Sequence, residues 1–260
     1  RSGAGVGRPR TRWAVAAGAA VFALNLAGTE LGRHPLAAPV VVLASAAGLV
    51  VALLRLLPAG TLAGARGIPA VVATRGAVFM AFSGVGAFLP LLLTLVHGFR
   101  PALAGTSLAV TGVAWALGSW LQGRDLGVSR PRVLRVGVGV LTVGLAGTLL
   151  LVVPGLSPWP GLLAWSLAGV GMGIASSTLS VLQLDLAPDA EQGRTNAAAQ
   201  TCGVAGYSLA LALGGSLVAL QAPDPGGLVF GVVIGAGVVS GALGCVLAAR
   251  VSVAAPGTPA

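Results

Sequence analysis

The chain has 260 residues, of which 56% are hydrophobic and 8% charged, and its mean hydropathy of +0.95 excludes an ordinary water-soluble domain. Its net charge of +9 comes from fifteen arginines and no lysine. In a soluble chain that balance would point to nucleic acid, but here the arginines are sorted by the turns between apolar runs rather than gathered on one surface, which argues against nucleic-acid binding.

Eight apolar runs follow one another: Trp13–Thr29, Leu36–Leu54, Gly76–Val96, Pro101–Leu121, Val133–Val153, Trp159–Gln183, Thr195–Gln221 and Gly226–Ala249. Each holds about 17 to 27 residues, against the roughly 20 that a helix rising ~1.5 Å per residue needs to cross the hydrocarbon core. The pattern predicts an all-α polytopic membrane protein with eight transmembrane helices. Seven further runs after the first set aside a cleaved secretory signal, although the chain opens on Arg1 rather than Met and an upstream portion is expected.

The turns carry the orientation. Arg1, Arg8, Arg10 and Arg12 precede the first run. Arg55, Arg66 and Arg75 lie between the second and third, Arg124, Arg130, Arg132 and Arg135 around the fourth turn, Arg194 before the seventh run and Arg250 after the eighth. Only Arg33 and Arg100 fall on the other side. The positive-inside bias therefore places both termini and the 124–135 loop in the cytoplasm, and a multi-pass protein of the plasma membrane is expected.

The stretch Leu57–Arg75, rich in Gly, Ala and Pro, reads as a linker. Residues 1–57 would form an N-terminal cytoplasmic segment and two-helix pair, 58–75 a cytoplasmic linker, 76–250 a six-helix unit, and 251–260 a disordered cytoplasmic tail. The six-helix unit divides into two triples of similar length, as in inverted-repeat transporters. Glycines at small-xxx-small spacing, Gly231 with Gly235 and Gly237 with Gly241, predict close helix approach, and Gly169, Gly171 and Gly173 enrich the sixth run.

Polar and aromatic side chains are uneven. The fifth and eighth runs hold little beyond Thr142, Thr148, Phe230 and Ser240, whereas the third, fourth, sixth and seventh hold Phe79, Phe82, Ser83, Phe88, Thr106, Thr111, Trp115, Trp165, Ser166, Ser176, Ser177, Thr178, Gln183, Asn196, Gln200, Thr201 and Tyr207. Polar groups in hydrocarbon must find partners or a wet cavity, so these four helices are expected to line one. A Ser or Thr can instead bond its own helix backbone; Gln200 and Tyr207 need partners farther away. Phe82, Trp115, Trp165, Gln200 and Tyr207 are the candidate substrate-binding residues.

No carboxylate lies at mid-membrane. Asp185, Asp189 and Glu191 cluster at the sixth turn, where Asp189 and Gln192 read as a variant capping box after Pro188 and, alternatively, the acids meet arginines in a gate of Arg124, Asp185 and Arg194. Glu30 reads as paired with Arg33 or solvated. His34 and His97 read as solvated turn residues, and Cys202 and Cys245 lack metal-ligand spacing, so no metal or cofactor is expected.

Four stretches resemble the major facilitator superfamily, and more specifically its fourteen-helix drug:proton antiporters. Phe88-Leu89-Pro90-Leu91-Leu92-Leu93 with Gly98-Phe99-Arg100-Pro101-Ala102-Leu103-Ala104-Gly105 is similar to the first helix of the C-terminal half and its outer turn. Gly118-Ser119-Trp120-Leu121-Gln122-Gly123-Arg124 with the arginines to Arg135 resembles the cytoplasmic loop motif, with Gln122 where an acid is expected and Asp125 after the arginine. Gly169-Val170-Gly171-Met172-Gly173 resembles the glycine-rich fourth helix, and Pro188 to Arg194 with Asn196, Gln200, Gly203 and Gly206 the start of the fifth.

The resemblance implies a six-helix C-terminal bundle of the major facilitator type, preceded by a two-helix insert. It implies the later part of a secondary transporter whose N-terminal six-helix half, with the proton-coupling acids, lies upstream. The partners it implies are a hydrophobic or cationic small-molecule substrate, protons and the lipid bilayer, with no covalent chemistry. An integral-membrane enzyme or a non-transporting scaffold or sensor would be the rival readings.

The topology can be tested directly. With Cys202 and Cys245 replaced, single cysteines at Ser129 and Ser157 should be labelled from opposite faces of the membrane. Labelling of both from one face would refute the alternation of the runs.

Overall fold

A computed structural model of the chain describes residues 8–29, 37–124, 127–221 and 225–251. Among them the backbone forms eight α-helices: α1 (Arg8–Thr29), α2 (Ala37–Leu56), α3 (Ile68–Leu95), α4 (Pro101–Gln122), α5 (Arg130–Thr148), α6 (Trp159–Leu186), α7 (Gln192–Leu220) and α8 (Gly227–Ala249). Short 3-10 turns, Leu149–Val152 and Asp189–Glu191, finish α5 and precede α7. No strand occurs among the described residues. A helix satisfies its own backbone hydrogen bonds, which is what hydrocarbon requires of an open-ended segment.

Six helical segments, from Ile68–Leu95 to Gly227–Ala249, are long and apolar enough to cross a membrane. The chain is thus a multi-pass membrane protein. In α1 and α2 the described apolar stretches are shorter, Thr11–Leu26 and Val40–Leu56. Glu30, Arg33, His34, Asp125 and Asp224 lie outside the described residues, as do most of the expected linker-to-tail ends at 1–7 and 252–260.

The helix ends depart from the apolar runs where backbone chemistry overrides hydropathy. Proline lacks an N–H and presets φ, so it suits a first turn. α3 accordingly starts at Ile68, with Pro69 in its first turn and Gly67 before it at φ 83°, so that residues 68–75 of the expected linker are helix. The remainder, 57–67, is a run of turns held at both sides: Thr61 Oγ1 donates to Pro58 O at 2.7 Å, and Arg250 Nη1, just past α8, donates to Ala63 O and Gly64 O at 3.0 and 3.1 Å. α6 runs on to Leu186 and stops before Pro188.

Contacts between turns fix the alternating helix direction. Arg250 meets the α2–α3 turn, and Arg130 at the start of α5 pairs with Asp185 at the end of α6, at the arginine-rich end of the bundle. At the opposite end His97, in the α3–α4 turn, bonds Leu151 O at 2.8 Å. His97 is therefore half-buried and tied to the end of α5, beside Phe99, rather than a solvated turn residue.

The expected triples, α3–α5 and α6–α8, are not separate bodies. α3 packs chiefly on α7 and α8, while α6 packs chiefly on α4 and α5. Each triple's first helix thus lies against the other triple's second and third. The α1–α2 hairpin rests on α7, with Ala17, Leu49, Ala52 and Ala205 buried between them. Outward faces carry large apolar side chains, such as Val113, Leu163 and Leu228 at 72%, 72% and 77% exposure, as lipid-facing surfaces do.

Close approach is set by small residues. A Cβ at Gly173 would overlap the Trp115 carbonyl oxygen, and one at Gly171 the Leu141 amide, so α6 presents glycine to both α4 and α5. On α8 the pair Gly237 and Gly241 is similarly crowded, against Val85 at 2.5 Å and Thr142 Oγ1 at 2.7 Å. The pair Gly231 and Gly235 is not: a Cβ at Gly235 would meet nothing within 4 Å.

Alanine at these positions should have opposite effects. Gly173→Ala overfills the α4–α6 contact and should cost about 1–3 kcal/mol. Gly139→Ala, whose Cβ meets nothing within 4 Å, should be neutral or stabilise by about 0.5–1 kcal/mol, the usual difference in a helix interior. Thermal midpoints in detergent that fall equally for both would contradict the α4–α6 contact.

Candidate functional site: an aromatic column ending in a buried arginine

On α3, Arg75, Phe79 and Phe82 recur at i, i+4 and i+7 and so share one helix face. Toward that face α4 supplies Trp115 and α6 supplies Trp165. Phe82 stacks on Trp165 with ring centroids 4.8 Å apart and planes 9° apart. It meets Trp115 edge-on at 5.4 Å, and Trp115 meets Phe79 edge-on at 6.3 Å. The Arg75 guanidinium lies over Phe79, 5.0 Å from the centroid. The seven-residue rise from Arg75 to Phe82 makes the column roughly 10 Å tall.

Its exposure is graded. Phe82 and Trp165 are buried, whereas Phe79 and Trp115 are half-buried and offer ring surface. Arg75 is only 6% exposed. Its Nη2 donates to Gln200 Oε1 on α7 at 2.9 Å, and its Nη1 to Ser180 Oγ on α6 at 3.4 Å. Both acceptors belong to exposed residues. The Arg75 Nε and the Trp165 indole Nε1 are buried without an acceptor, and both amide atoms of Gln183 are buried without partners.

The charge has no counter-ion among the described residues. Helices α3, α4, α5, α7 and α8 contain no Asp or Glu, and the Asp185 carboxylate of α6 is taken by Arg130. Removing a charged group from water costs several kcal/mol. A desolvated cation–π contact contributes about 2 kcal/mol, and a neutral acceptor bonded to a charged donor about 1.5–3 kcal/mol. These contacts hold the guanidinium in place without a counter-charge among the described residues, and an ionisable group placed so within a span is a candidate for function.

Of the expected binding residues, Phe82, Trp115 and Trp165 meet in the column, and Gln200 joins them through Arg75. Tyr207 does not: it is half-buried on α7 and has no hydrogen bond or ring contact with a described residue. The three expected gate residues stay apart. Asp185 pairs with Arg130, Arg124 stacks 3.7 Å over Trp120 of its own helix end, and Arg194 is exposed in the first turn of α7. The expected capping box is altered as well. A 3-10 turn separates Asp189 from α7, so Asp189 takes a hydrogen bond from the Gln192 side chain at 3.1 Å and caps no backbone N–H.

The hydroxyls of the same helices are mostly self-satisfied. Thr106, Ser107, Thr111, Ser166, Thr178 and Thr201 each donate to a carbonyl three or four residues earlier. One hydroxyl in the helices expected to be featureless instead reaches across: Ser240 donates to Ala77 O at 3.0 Å, while Thr142 donates to Val138 O of its own helix at 2.8 Å and also contacts Cys245 Sγ at 3.6 Å. Arg75 and Ser180 are the site residues that sequence reasoning missed. The spacing of Arg75, Phe79 and Phe82 was the signal available for the first.

Two cavities border this region. One of about 170 Å³ lies between α4 and α6 at the outer end of the column, lined by Leu103, Ser107, Val110, Trp159, Leu162 and Trp165 among others. A larger one of about 480 Å³ lies on the other side of α3, between α2, α3, α7 and α8. Its lining is almost wholly apolar, and its one charged residue, Arg250, is bound to the Ala63 and Gly64 carbonyls. The column, rather than the larger space, is therefore the candidate site.

The family model described as the Major Facilitator Superfamily matches residues 8–211, from the start of α1 into α7. No curated protein matches the chain.

Arg75 and Trp165 should separate in stability. Replacing buried ion pairs by apolar side chains is neutral or stabilising in many proteins because the desolvation cost goes with the charge; Arg75 has no described counter-ion to leave behind, so Arg75→Met should leave the thermal midpoint unchanged or raise it. Trp165→Ala should cost about 3–5 kcal/mol, as for other buried aromatic truncations. A midpoint that falls as far for Arg75→Met as for Trp165→Ala would make Arg75 a structural residue.

Proposed function

Because the chain belongs to the Major Facilitator Superfamily, we propose that it is the later part of a proton-coupled exporter of small hydrophobic molecules that works by alternating access. In this reading α1 and α2 are a central pair of spans and α3–α8 form the C-terminal half. A second six-helix half supplies the facing wall of the cavity and the proton-coupling acid. Both termini lie in the cytoplasm and the protein resides in the plasma membrane. Membership of the family makes the chain a membrane transporter protein; export, drugs as cargo and protons as the coupling ion are the added proposal.

The observation that carries this reading is the column itself. Its rings come from α3, α4 and α6, and α7 joins through Gln200, so the four helices with the densest polar and aromatic side chains contribute to one wall. Apolar and aromatic surface with a few orienting polar groups is what a small-molecule site consists of. Of the two cargo classes implied by the resemblance, the hydrophobic one fits, because the charge at the base of the column is positive and would repel a cation.

The test is export from everted vesicles carrying the full-length protein, driven by an imposed proton gradient. At equal membrane abundance, alanine at Phe82, Trp115, Trp165 or Gln200 should lower export about tenfold, the equivalent of roughly 1.4 kcal/mol. Tyr207→Ala should change cargo range if that ring faces the second half. Val143→Ala and Val239→Ala, on outward faces at 65% and 70% exposure, should have no effect. Unchanged export in the first four would refute the assignment of this wall to the pathway.

A further inference from the structure

The column has donors and a positive charge in excess, and this specifies a ligand. We propose that Arg75, Gln200, Phe79 and Trp115 form a binding site for an aromatic organic anion, in which the acid group meets Arg75 and the ring lies against Phe79 and Trp115. The assignment rests on the transport reading above and narrows its cargo class.

Three observations converge on it. First, Arg75 has no carboxylate to answer it within the described bundle, since the Asp185 carboxylate of α6 is engaged by Arg130. Secondly, the groups that now occupy its Nη atoms are neutral and belong to exposed residues, Gln200 and Ser180. An acid arriving from the exposed side reaches these two first. It exchanges a neutral acceptor for a charged one, which adds ion-pair attraction and, from a carboxylate, a bidentate match to the guanidinium fork. Thirdly, Arg75 Nε is a buried donor with no acceptor among the described residues, so the guanidinium keeps an unused donor at the site.

The aromatic part follows from the graded exposure. Phe82 and Trp165 are already stacked on each other and buried, so they form the floor. Phe79 and Trp115 are half-buried and meet edge-on at 6.3 Å and 71°, so both keep some exposed ring surface, with the guanidinium already over one face of Phe79. Offset and edge-to-face aromatic pairs contribute about 0.5–1.5 kcal/mol beyond the area they bury. A flat ring bearing an acid group satisfies the rings and the charge together, whereas a cation meets the guanidinium as a like charge.

Calorimetric titration of the purified full-length protein in lipid nanodiscs with three isosteric probes tests this. The probes are 1-naphthoate, neutral 1-naphthamide and cationic 1-naphthylmethylamine. Naphthoate should bind about tenfold or more tightly than the amide, and the amine most weakly. Arg75→Gln should remove the preference for naphthoate while keeping amide binding. Gln200→Glu, which sets a carboxylate against Arg75, should do the same with Arg75 intact. Trp115→Ala should weaken all three. If the amine binds as tightly as naphthoate, or if both Arg75→Gln and Gln200→Glu keep the preference, the anion site is overturned while a hydrophobic cavity stands. If none of the three binds, the anion site and the cavity reading fall together.

Discussion

The approach of α6 to α4 decides whether the column exists. Gly169 and Gly173 lie against the carbonyl oxygens of Thr111 and Trp115, where any side chain carbon would crowd or overlap them. Without a hydrophobic driving force between helices in lipid, such backbone-to-backbone contact is how two spans hold a fixed separation. Trp115 contributes its carbonyl to that contact and its indole to the column. The glycines that set the helix spacing therefore also set where the indole stands relative to Phe82 and Trp165.

The same economy explains Arg75. Its backbone stands two turns into α3, beside Gly76, and Gly76 is where α3 meets α7: a Cβ there would lie 2.6 Å from Cys202 Sγ. Close approach of α3 and α7 brings Gln200 within reach of the guanidinium, and Ser180 of α6 completes the set. Arg75 so links three helices at a level where α6 and α7 have little other contact. Counted in the sequence as a cytoplasmic marker, it is a buried residue of a span, and the arginine bias between the two sides persists without it.

How much was legible follows from which forces act locally. The apolar runs were legible because lipid-facing and bundle-facing sides are both apolar, so no amphipathic period is needed to see them. The ends were less so. Hydropathy falls at Arg75 and suggests a boundary, while Pro69 and Gly67 start the helix two turns earlier. Phe82, Trp115 and Trp165 could be grouped because large rings are sparse in this chain and sit on helices that also gather polar groups. Pairing of charges could not. Asp185 has several arginines in nearby turns, and only the fold shows that Arg130 takes it while Arg124 stacks on Trp120. Hydroxyls misled in the other direction, since most of those expected to line a cavity bond their own helix.

That last contrast separates two uses of polarity in one bundle. Ser240 reaches across a helix boundary and acts as glue between α8 and α3. Thr106, Thr111 and Thr178 need nothing beyond their own turn. Among the described residues, Arg75, Trp165 and Gln183 are buried with unanswered polar atoms. Arg75 is also the tie between α3, α6 and α7, so anything that competes for its guanidinium acts on the contact between the two groups of helices, α3 with α7 and α8, and α6 with α4 and α5. A ligand that displaced Ser180 would release α6 while engaging α3. Binding at the base of the column would in that way be coupled, through one side chain, to the relative position of the helices that form it.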